Sequence, residues 1–413
     1  MSTGKKKLSL AGWIFIALLL GCLVGWGLIY VPNGAVFATK YIKPIGTIFV
    51  NLLKFIVVPI VLFSMVCGMI SMKDIKKVGS IGWKTMVYYI GTTIVALVIG
   101  LVLANLFKGG FPRLSTEGLG TWDKATSADF MTTLVDIFPS NIVAPFASAS
   151  MLQIIVIALL IGAGIILAGE KGRATAELFE SLNEVFMKVM MFIIKVSPIG
   201  VFCMMAWVVA AQGPEILGDL AKVLGVAYLG YILHAIITYS ITVRTIGGMS
   251  PIKFFKGMIP AMVFAFSSTS SVATLPINKE CAVKLGASEE ISSFVLPLGA
   301  TINMDGTAVY MAVNTIFLAC CYGMELTIGQ LVMVVVTATL ASIGTAGVSG
   351  AGVVMLAMVL TSVGLPIDGI ALVAGVDRIF DMGRTTVNIT GDAACTMVVS
   401  NMEAKKEVRK ANK

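Results

Sequence analysis

Six polar residues crowd one otherwise apolar stretch near the end of the chain: Asp377, Arg378, Asp381, Arg384, Asn388 and Asp392. On a helix turning 100° per residue, with Asp377 at zero, Arg384 lies at about −20°, Asn388 at about 20°, Asp381 at about 40° and Asp392 at about 60°. Five of the six thus share a stripe about 80° wide with Thr385 at its edge, while Arg378 stands off it at about 100°. Ionised groups at bilayer depth cost about 3 kcal/mol or more each, so they face an interior and mark a pathway. Asp377 and Asp381 flank Arg384 by seven and three positions, a spacing that also permits ion pairs with a purely supporting role. Three acids against one or two bases still leave negative charge over. Asp305, in Asn303-Met304-Asp305-Gly306-Thr307, adds to the excess.

A cation would neutralise that excess. Carboxylates, Asn oxygens and unwound backbone carbonyls are hard oxygen ligands suited to a group I or II cation. No His/Cys cluster invites a transition metal, and the single histidine, His234, cannot build such a site alone. Arg384 offers a planar fork that grips a carboxylate bidentately. Asp381 beside it suits an ammonium group, and hydroxyls with helix N-termini suit a second carboxylate. Together these groups select a zwitterion with an extra acid, the chemistry of glutamate or aspartate.

The elements that hold these groups fall into two kinds. Up to about residue 245 the chain reads as ordinary apolar helices, with candidate spans at 8–31, 47–70, 86–106, 151–168 and 223–243 and a polar interruption at 108–128. Each span is long enough for a hydrocarbon core of about 30 Å. The runs are continuous rather than alternating, which excludes a barrel. After residue 250 the apolar stretches shorten and break. One break is Phe266-Ser267-Ser268-Thr269-Ser270-Ser271, closed by Thr274-Leu275-Pro276; the other covers 342–352, rich in Gly, Ser and Thr. Each sits between half-length helical stretches, so each reads as a hairpin that enters the membrane and turns back. Such paired interruptions point to a transporter's binding site, whereas small-residue helix packing is the plainer alternative.

Composition agrees. Of 413 residues 57% are apolar and only 13% charged, with a mean hydropathy of +0.95, about half the charge a soluble protein carries. The net charge of +8 does not indicate nucleic acid, because the bases sit at helix ends: Lys5–Lys7, Lys73, Lys76, Lys77, Lys171, Arg173, Arg244, Lys253 and Lys256, and the tail from Lys405. That bias places both termini in the cytoplasm. Seven scattered cysteines form neither a disulfide framework nor a metal spacing. The first apolar segment is too long for a signal-peptide core and reads as a retained span of an inner-membrane protein.

Three strings carry a resemblance: 296–307 (Leu-Pro-Leu-Gly-Ala-Thr-Ile-Asn-Met-Asp-Gly-Thr), 342–352 and 381–392 (Asp-Met-Gly-Arg-Thr-Thr-Val-Asn-Ile-Thr-Gly-Asp). In them the chain resembles the glutamate transporter homologue family, the dicarboxylate/amino acid:cation symporters, and the likeness spans essentially the whole sequence. The resemblance implies an all-α polytopic membrane protein of eight transmembrane helices plus two re-entrant hairpins, built on inverted repeats and assembled as a homotrimer. It implies scaffold helices 1 and 2 in 1–80, transport-domain helix 3 in 81–110, and scaffold helices 4 and 5 with an external loop in 111–211. The rest of an elevator-type transport domain would fill 212–402, followed by a basic tail at 403–413.

Carried over, the substrate contacts would be Ser271, Thr307, Val348, Gly352, Asp381, Arg384, Thr385 and Asn388. One Na+ site would use Gly299, Asn303, Asn388 and Asp392, and a second Thr301, Met304, Ser342, Ile343 and Thr345 through backbone oxygens. A third would use Tyr89, Thr92, Thr93, Asn303 and Asp305. The chain departs from the family in places. Thr269 stands where some prokaryotic members have a hairpin arginine, and Met382 where eukaryotic ones have a base. Ser349 replaces a common gate proline, and Met311 stands where a glutamate linked to proton co-transport occurs. Arg378, a turn before Met382, is the candidate to stand in for the missing base.

Family members that carry dicarboxylates tend to lack the acid matched by Asp381, and those that carry neutral amino acids the arginine matched by Arg384. Keeping both favours aspartate or glutamate over C4-dicarboxylates, cystine or neutral amino acids, and Met311 in place of the glutamate favours sodium over proton coupling. From other classes, an ion channel would pass sodium without substrate. An intramembrane aspartyl protease would need Tyr-Asp and Gly-x-Gly-Asp, and Ile389-Thr390-Gly391-Asp392 lacks the first glycine.

Overall fold

The computed structural model describes residues 10–78, 80–111, 135, 138–148, 150–213, 215–342 and 351–411. Every described element is helical. In chain order the longer helices are α1 (Leu10–Ile29), α2 (Lys43–Val78), α3 (Ser80–Phe107), α4 (Met151–Ala168), α5 (Arg173–Gln212), α6 (Glu215–His234), α7 (Pro251–Ser268), α8 (Ser271–Lys284), α9 (Glu289–Ile302), α10 (Asp305–Cys321), α11 (Ile328–Ser342), α12 (Ala351–Ser362) and α13 (Asp377–Ala411). A π-helical turn, Ala235–Tyr239, and a short helix, Ser240–Thr245, continue α6.

Among the described residues, five stretches are long and apolar enough to cross a membrane: Gly12–Ile29, Ser80–Gly110, Val156–Ala211, Leu217–Thr245 and Glu289–Cys321. They differ in what they face. Helix α1 turns Trp13, Leu20, Leu23 and Trp26 outward, which suits a lipid surface, whereas every residue from Asp305 to Ala319 of the last stretch is buried. Helices α1 and α2 pack on α5, and α4 packs on α2. Helix α3 pairs with α10, and α13 is enclosed by α3, α6, α7, α8, α9 and α10. From Phe380 to Val399 only Met382 and Thr386 of α13 escape full burial. The stripe therefore faces protein, as the cost of charge in lipid requires.

The breaks have local causes. Helix α7 starts with Pro251 at its first position and ends where Thr269 turns left-handed (φ 54°), a conformation that costs an L-residue energy and stops the helix. Ser270 then caps α8, its hydroxyl accepting from the amide of Ala273 at 3.2 Å. The first interruption is thus only Thr269-Ser270. It is tighter than the 266–271 read from sequence, and Thr274, Leu275 and Pro276 lie inside α8 rather than closing the break. The second pair, α11 and α12, runs to Ser342 and resumes at Ala351. Ile343, Thr345, Val348 and Ser349 lie outside the described residues, as do most of 108–128, Lys5–Lys7 and Lys413. A third interruption, which the sequence did not announce, falls at Asn303-Met304, where an extended Asn303 (ψ 105°) separates α9 from α10.

Candidate functional site

The start of α12, the Asn303-Met304 interruption and the stripe converge. On α13, Arg384 is 2% exposed. Its Nε donates to Asp381 Oδ1 at 2.9 Å, and Nη1 and Nη2 donate to the two oxygens of Asp377 at 3.0 and 3.4 Å. The guanidinium lies over the ring of Tyr310 on α10, 4.6 Å from its centroid, an arrangement worth about 2 kcal/mol when desolvated. Thr385 donates to Asp381 Oδ1 at 3.3 Å. Arg378 reaches Asp381 Oδ2 at 3.8 Å, so the residue the helical angle placed off the stripe joins it: at i,i+3 a long side chain spans the angular gap. Gly352 presses its backbone on the guanidinium. A Cβ there would lie 2.3 Å from Arg384 Nη1.

One turn further along, Asn388 is oriented by two elements. Its Oδ1 accepts from the amide of Gly306 at 2.7 Å, and its Nδ2 lies 3.3 Å from both Thr307 Oγ1 and Met304 Sδ. Gly306 permits this approach, since a Cβ there would sit 2.3 Å from the Arg384 carbonyl oxygen. Asn303, in the interruption, donates from Nδ2 to the Asn388 carbonyl at 3.0 Å and to Asp392 Oδ1 at 2.9 Å. Gly299 lies against the same carboxylate: a Cβ at this position would be 2.5 Å from both Asp392 Oδ1 and the Tyr89 hydroxyl. Tyr89 itself donates to the Val295 carbonyl at 3.0 Å.

Asp305 opens α10, where the helix dipole favours an anion. Its Oδ1 accepts from Thr93 at 2.8 Å and Thr92 at 3.2 Å. Its Oδ2 accepts from Tyr239 at 2.8 Å and lies 3.2 Å from His234 Nε2. Of the remaining predicted residues, Ser271 is buried at the start of α8, and that helix is tied to α13 by Asn278 Nδ2 donating to the Ile389 carbonyl at 3.0 Å. The Thr301 and Ser342 hydroxyls bond within their own helices, to Leu298 and Thr339, which leaves their backbone rather than their side chains for any ligand.

The donor set fits a hard cation. Asp392 is 1% exposed and pairs with no Lys or Arg among the described residues, and Asn303 Oδ1 is buried without a hydrogen-bond partner. A buried acceptor left orphaned beside an uncompensated carboxylate is costly in isolation. Together with the Asp392 carboxylate and the Tyr89 hydroxyl, Asn303 Oδ1 forms a set of oxygens that an alkali cation would satisfy. Tyr310 and Tyr239 escaped the sequence reading, and His234 entered it only as a lone imidazole unable to build a metal site. Each comes from another helix, and only their positions within buried spans hinted at them.

A family model for the sodium:dicarboxylate symporter family matches residues 10–402. The chain is 35% identical over 407 residues to a proton/sodium-glutamate symport protein of Bacillus caldotenax, covering 96% of this chain and 95% of that one. It is 35% identical over 417 residues to the proton/glutamate-aspartate symporter of Escherichia coli (strain K12), covering 98% and 95%. To a C4-dicarboxylate transport protein of Bacillus subtilis (strain 168) it is 31% identical over 397 residues, covering 94% and 92%. With the whole length matched and the buried polar stripe in place, this chain belongs to the sodium:dicarboxylate symporter family, a family of membrane transporters and not of enzymes.

Proposed function

We propose that the chain is a sodium-coupled symporter that takes an acidic amino acid, L-aspartate or L-glutamate, into the cell across the inner membrane. One observation carries the reading: a single buried helix holds both Arg384, framed by Asp377 and Asp381, and Asp392, whose charge no Lys or Arg among the described residues offsets. In this reading Arg384 grips the substrate's side-chain carboxylate, Asp381 holds its ammonium group, and Thr385, Asn388, Thr307, Ser271, Val348 and Gly352 complete the enclosure. Sodium would be held by Asp392, Asn388, Asn303 and Gly299, and by Asp305 with Thr92, Thr93 and Tyr89. A further ion would meet the backbone oxygens of Thr301, Met304, Ser342, Ile343 and Thr345. Bound cations supply the positive charge that these carboxylates lack, which links ion binding to closure over the substrate.

The ion pairs of Arg384 belong to this cycle. A guanidinium already engaged by Asp377 and Asp381 keeps its charge compensated until a substrate carboxylate competes for the fork. Relatives whose names include glutamate support the acidic substrate, and the C4-dicarboxylate relative lends a second reading in which only the carboxylates matter. The Arg378–Asp381–Arg384 arrangement favours the amino acid, because Asp381 is an acid poised beside the fork. Relatives are named for proton as well as sodium coupling. Met311, fully buried on α10, puts a thioether where a titrating acid would serve protons, which supports sodium.

The grouping of α1, α2, α4 and α5 with one another, and of α13 with α3, α6, α7, α8, α9 and α10, suits an elevator with the first group as scaffold and the second in the moving body. A homotrimer of eight spans and two re-entrant hairpins with cytoplasmic termini is part of the same proposal. Purified protein in liposomes with imposed sodium, proton or potassium gradients and labelled L-aspartate tests the function. Only an inward sodium gradient is expected to drive accumulation, with succinate, serine and cystine as weak competitors. Accumulation driven by protons alone would overturn the coupling, and preferred uptake of succinate the substrate.

A further inference from the structure

We infer that the π-helical turn Ala235–Tyr239 makes His234 and Tyr239 a pair of positioning residues that clamp one edge of the Asp305 carboxylate, and that this clamp sets the affinity for sodium. The inference rests on the reading of Asp305 as a cation-binding acid.

The geometry begins with the backbone. In a regular α-helix two residues five apart point about 140° away from each other. A π-turn, with i→i+5 hydrogen bonds, brings them onto one face, and such turns concentrate at functional sites. Here the turn follows directly after His234. The His234 and Tyr239 rings meet edge to face, with centroids 4.9 Å apart, and both address the same oxygen, Asp305 Oδ2. His234 is wholly buried, as is Asp305, and it is the only histidine in the chain.

A carboxylate oxygen only accepts, so the His234 Nε2 that faces it carries a proton. Nδ1 lies 3.2 Å from the Thr238 hydroxyl, which holds the ring in place. Thr238 lies in the π-turn as well, so one bulge delivers the donor, its orienting group and Tyr239. The Tyr239 hydroxyl also lies 3.2 Å from the Val387 carbonyl, beside Asn388 on the stripe. Gly391 permits this approach, since a Cβ there would fall 2.5 Å from both the Tyr239 hydroxyl and Asn303 Nδ2.

The two edges of Asp305 are therefore unlike. Oδ2 meets two ring-borne donors whose directions are fixed by packing. Oδ1 meets the hydroxyls of Thr92 and Thr93, whose protons rotate, so that each can donate to the carboxylate or turn a lone pair toward a cation. A carboxylate held rigidly on one edge and met by adaptable oxygens on the other is preorganised for an ion on the adaptable side. Groups that orient a metal ligand without touching the metal alter its affinity by about 10–100-fold when removed.

The test is a sodium titration of L-aspartate binding by calorimetry on the purified full-length protein, comparing wild type, His234→Leu, His234→Gln and Tyr239→Phe. His234→Leu is expected to raise the sodium half-saturation by about tenfold or more while aspartate affinity at saturating sodium stays within about threefold. His234→Gln, which can present an amide N–H to Oδ2, is expected to recover most of the loss. Tyr239→Phe, lacking one oxygen atom, should weaken sodium in the same direction and serves if the histidine variants do not fold. Wild-type sodium half-saturation in both His234→Leu and Tyr239→Phe, or no rescue by glutamine, would overturn the clamp. Aspartate binding by the wild type that ignores sodium would instead sink the parent reading, and the clamp with it.

Discussion

Replacing Asp392 by Asn probes the centre of the proposed coupling with a nearly isosteric change. The carboxylate is buried, accepts one hydrogen bond from Asn303 at 2.9 Å, and has no Lys or Arg partner among the described residues. A cation about 2.5 Å from its oxygen would gain roughly 7 kcal/mol of gross Coulomb energy at an effective dielectric of about 20. Relaxation and water around the site reduce this by several kcal/mol, and the amide retains an oxygen dipole. A net loss of about 3 kcal/mol remains, or about two decades in sodium affinity. The variant should also melt at a higher temperature than wild type without sodium, because a neutral amide replaces an uncompensated buried charge. With sodium at about 100 times its dissociation constant the wild type gains about 2.7 kcal/mol of stability, and the variant at the same concentration gains little. Thermal unfolding of detergent-purified protein across a sodium series, with choline holding ionic strength constant, reads both effects. Equal sodium half-saturation in the two proteins would refute the assignment of Asp392.

Arg384→Lys keeps the charge but loses the fork that spans Asp377 and Asp381. Calorimetry should show aspartate affinity reduced about 10–100-fold with sodium binding little changed, and equal aspartate binding would remove the assigned role. In Gly352→Ala the new Cβ would lie 2.3 Å from Arg384 Nη1 and must drive the guanidinium back by about 1 Å to reach van der Waals distance. That breaks the 3.0 Å bond to Asp377, so aspartate affinity should fall while sodium-dependent melting persists. At the end of α13, Glu403 accepts from Lys84 and Ser80, and the Lys84 hydrogen bond, followed by that from Ser80, holds its carboxyl below the usual glutamate range. A depressed folded-state value gives stability that is present above the unfolded glutamate pKa and lost as pH falls through the lower folded one. Glu403→Gln should therefore cost up to about 1 kcal/mol at neutral pH, with wild type and variant converging below about pH 4 in pH-resolved melts.

The stripe was legible because helical phase is local: Asp377, Asp381, Arg384, Asn388 and Asp392 are separated by fixed angles that need no tertiary information. The Thr269-Ser270 interruption was legible in kind but not in extent. A run of serines signals a break, whereas the residue that turns left-handed is chosen by how the two half-helices pack. The Asn303-Met304 interruption was missed as a break because its flanks remain apolar and helix-compatible on both sides. His234 was dismissed as a metal ligand, soundly for a lone imidazole, but its role as a donor to Asp305 depends on a π-turn that resets helical phase by part of a turn. Tyr310 reached Arg384 only through the pairing of α10 with α13.

By itself the sequence determined that a bilayer must solvate this chain, that one helix must hide a ribbon of charge, and that the surplus is negative. Those are matters of composition and period, and each residue carries them wherever it goes. Helical spacing alone lets Arg384 reach Asp377 and Asp381. The tertiary structure decided what meets the other two acids: Thr92, Thr93, Tyr239 and His234 at Asp305 and, among the described residues, the Asn303 amide at Asp392. Electrostatic balance in a low-dielectric interior depends on distances of a few ångströms between helices far apart in the chain, and no periodicity along one helix encodes them.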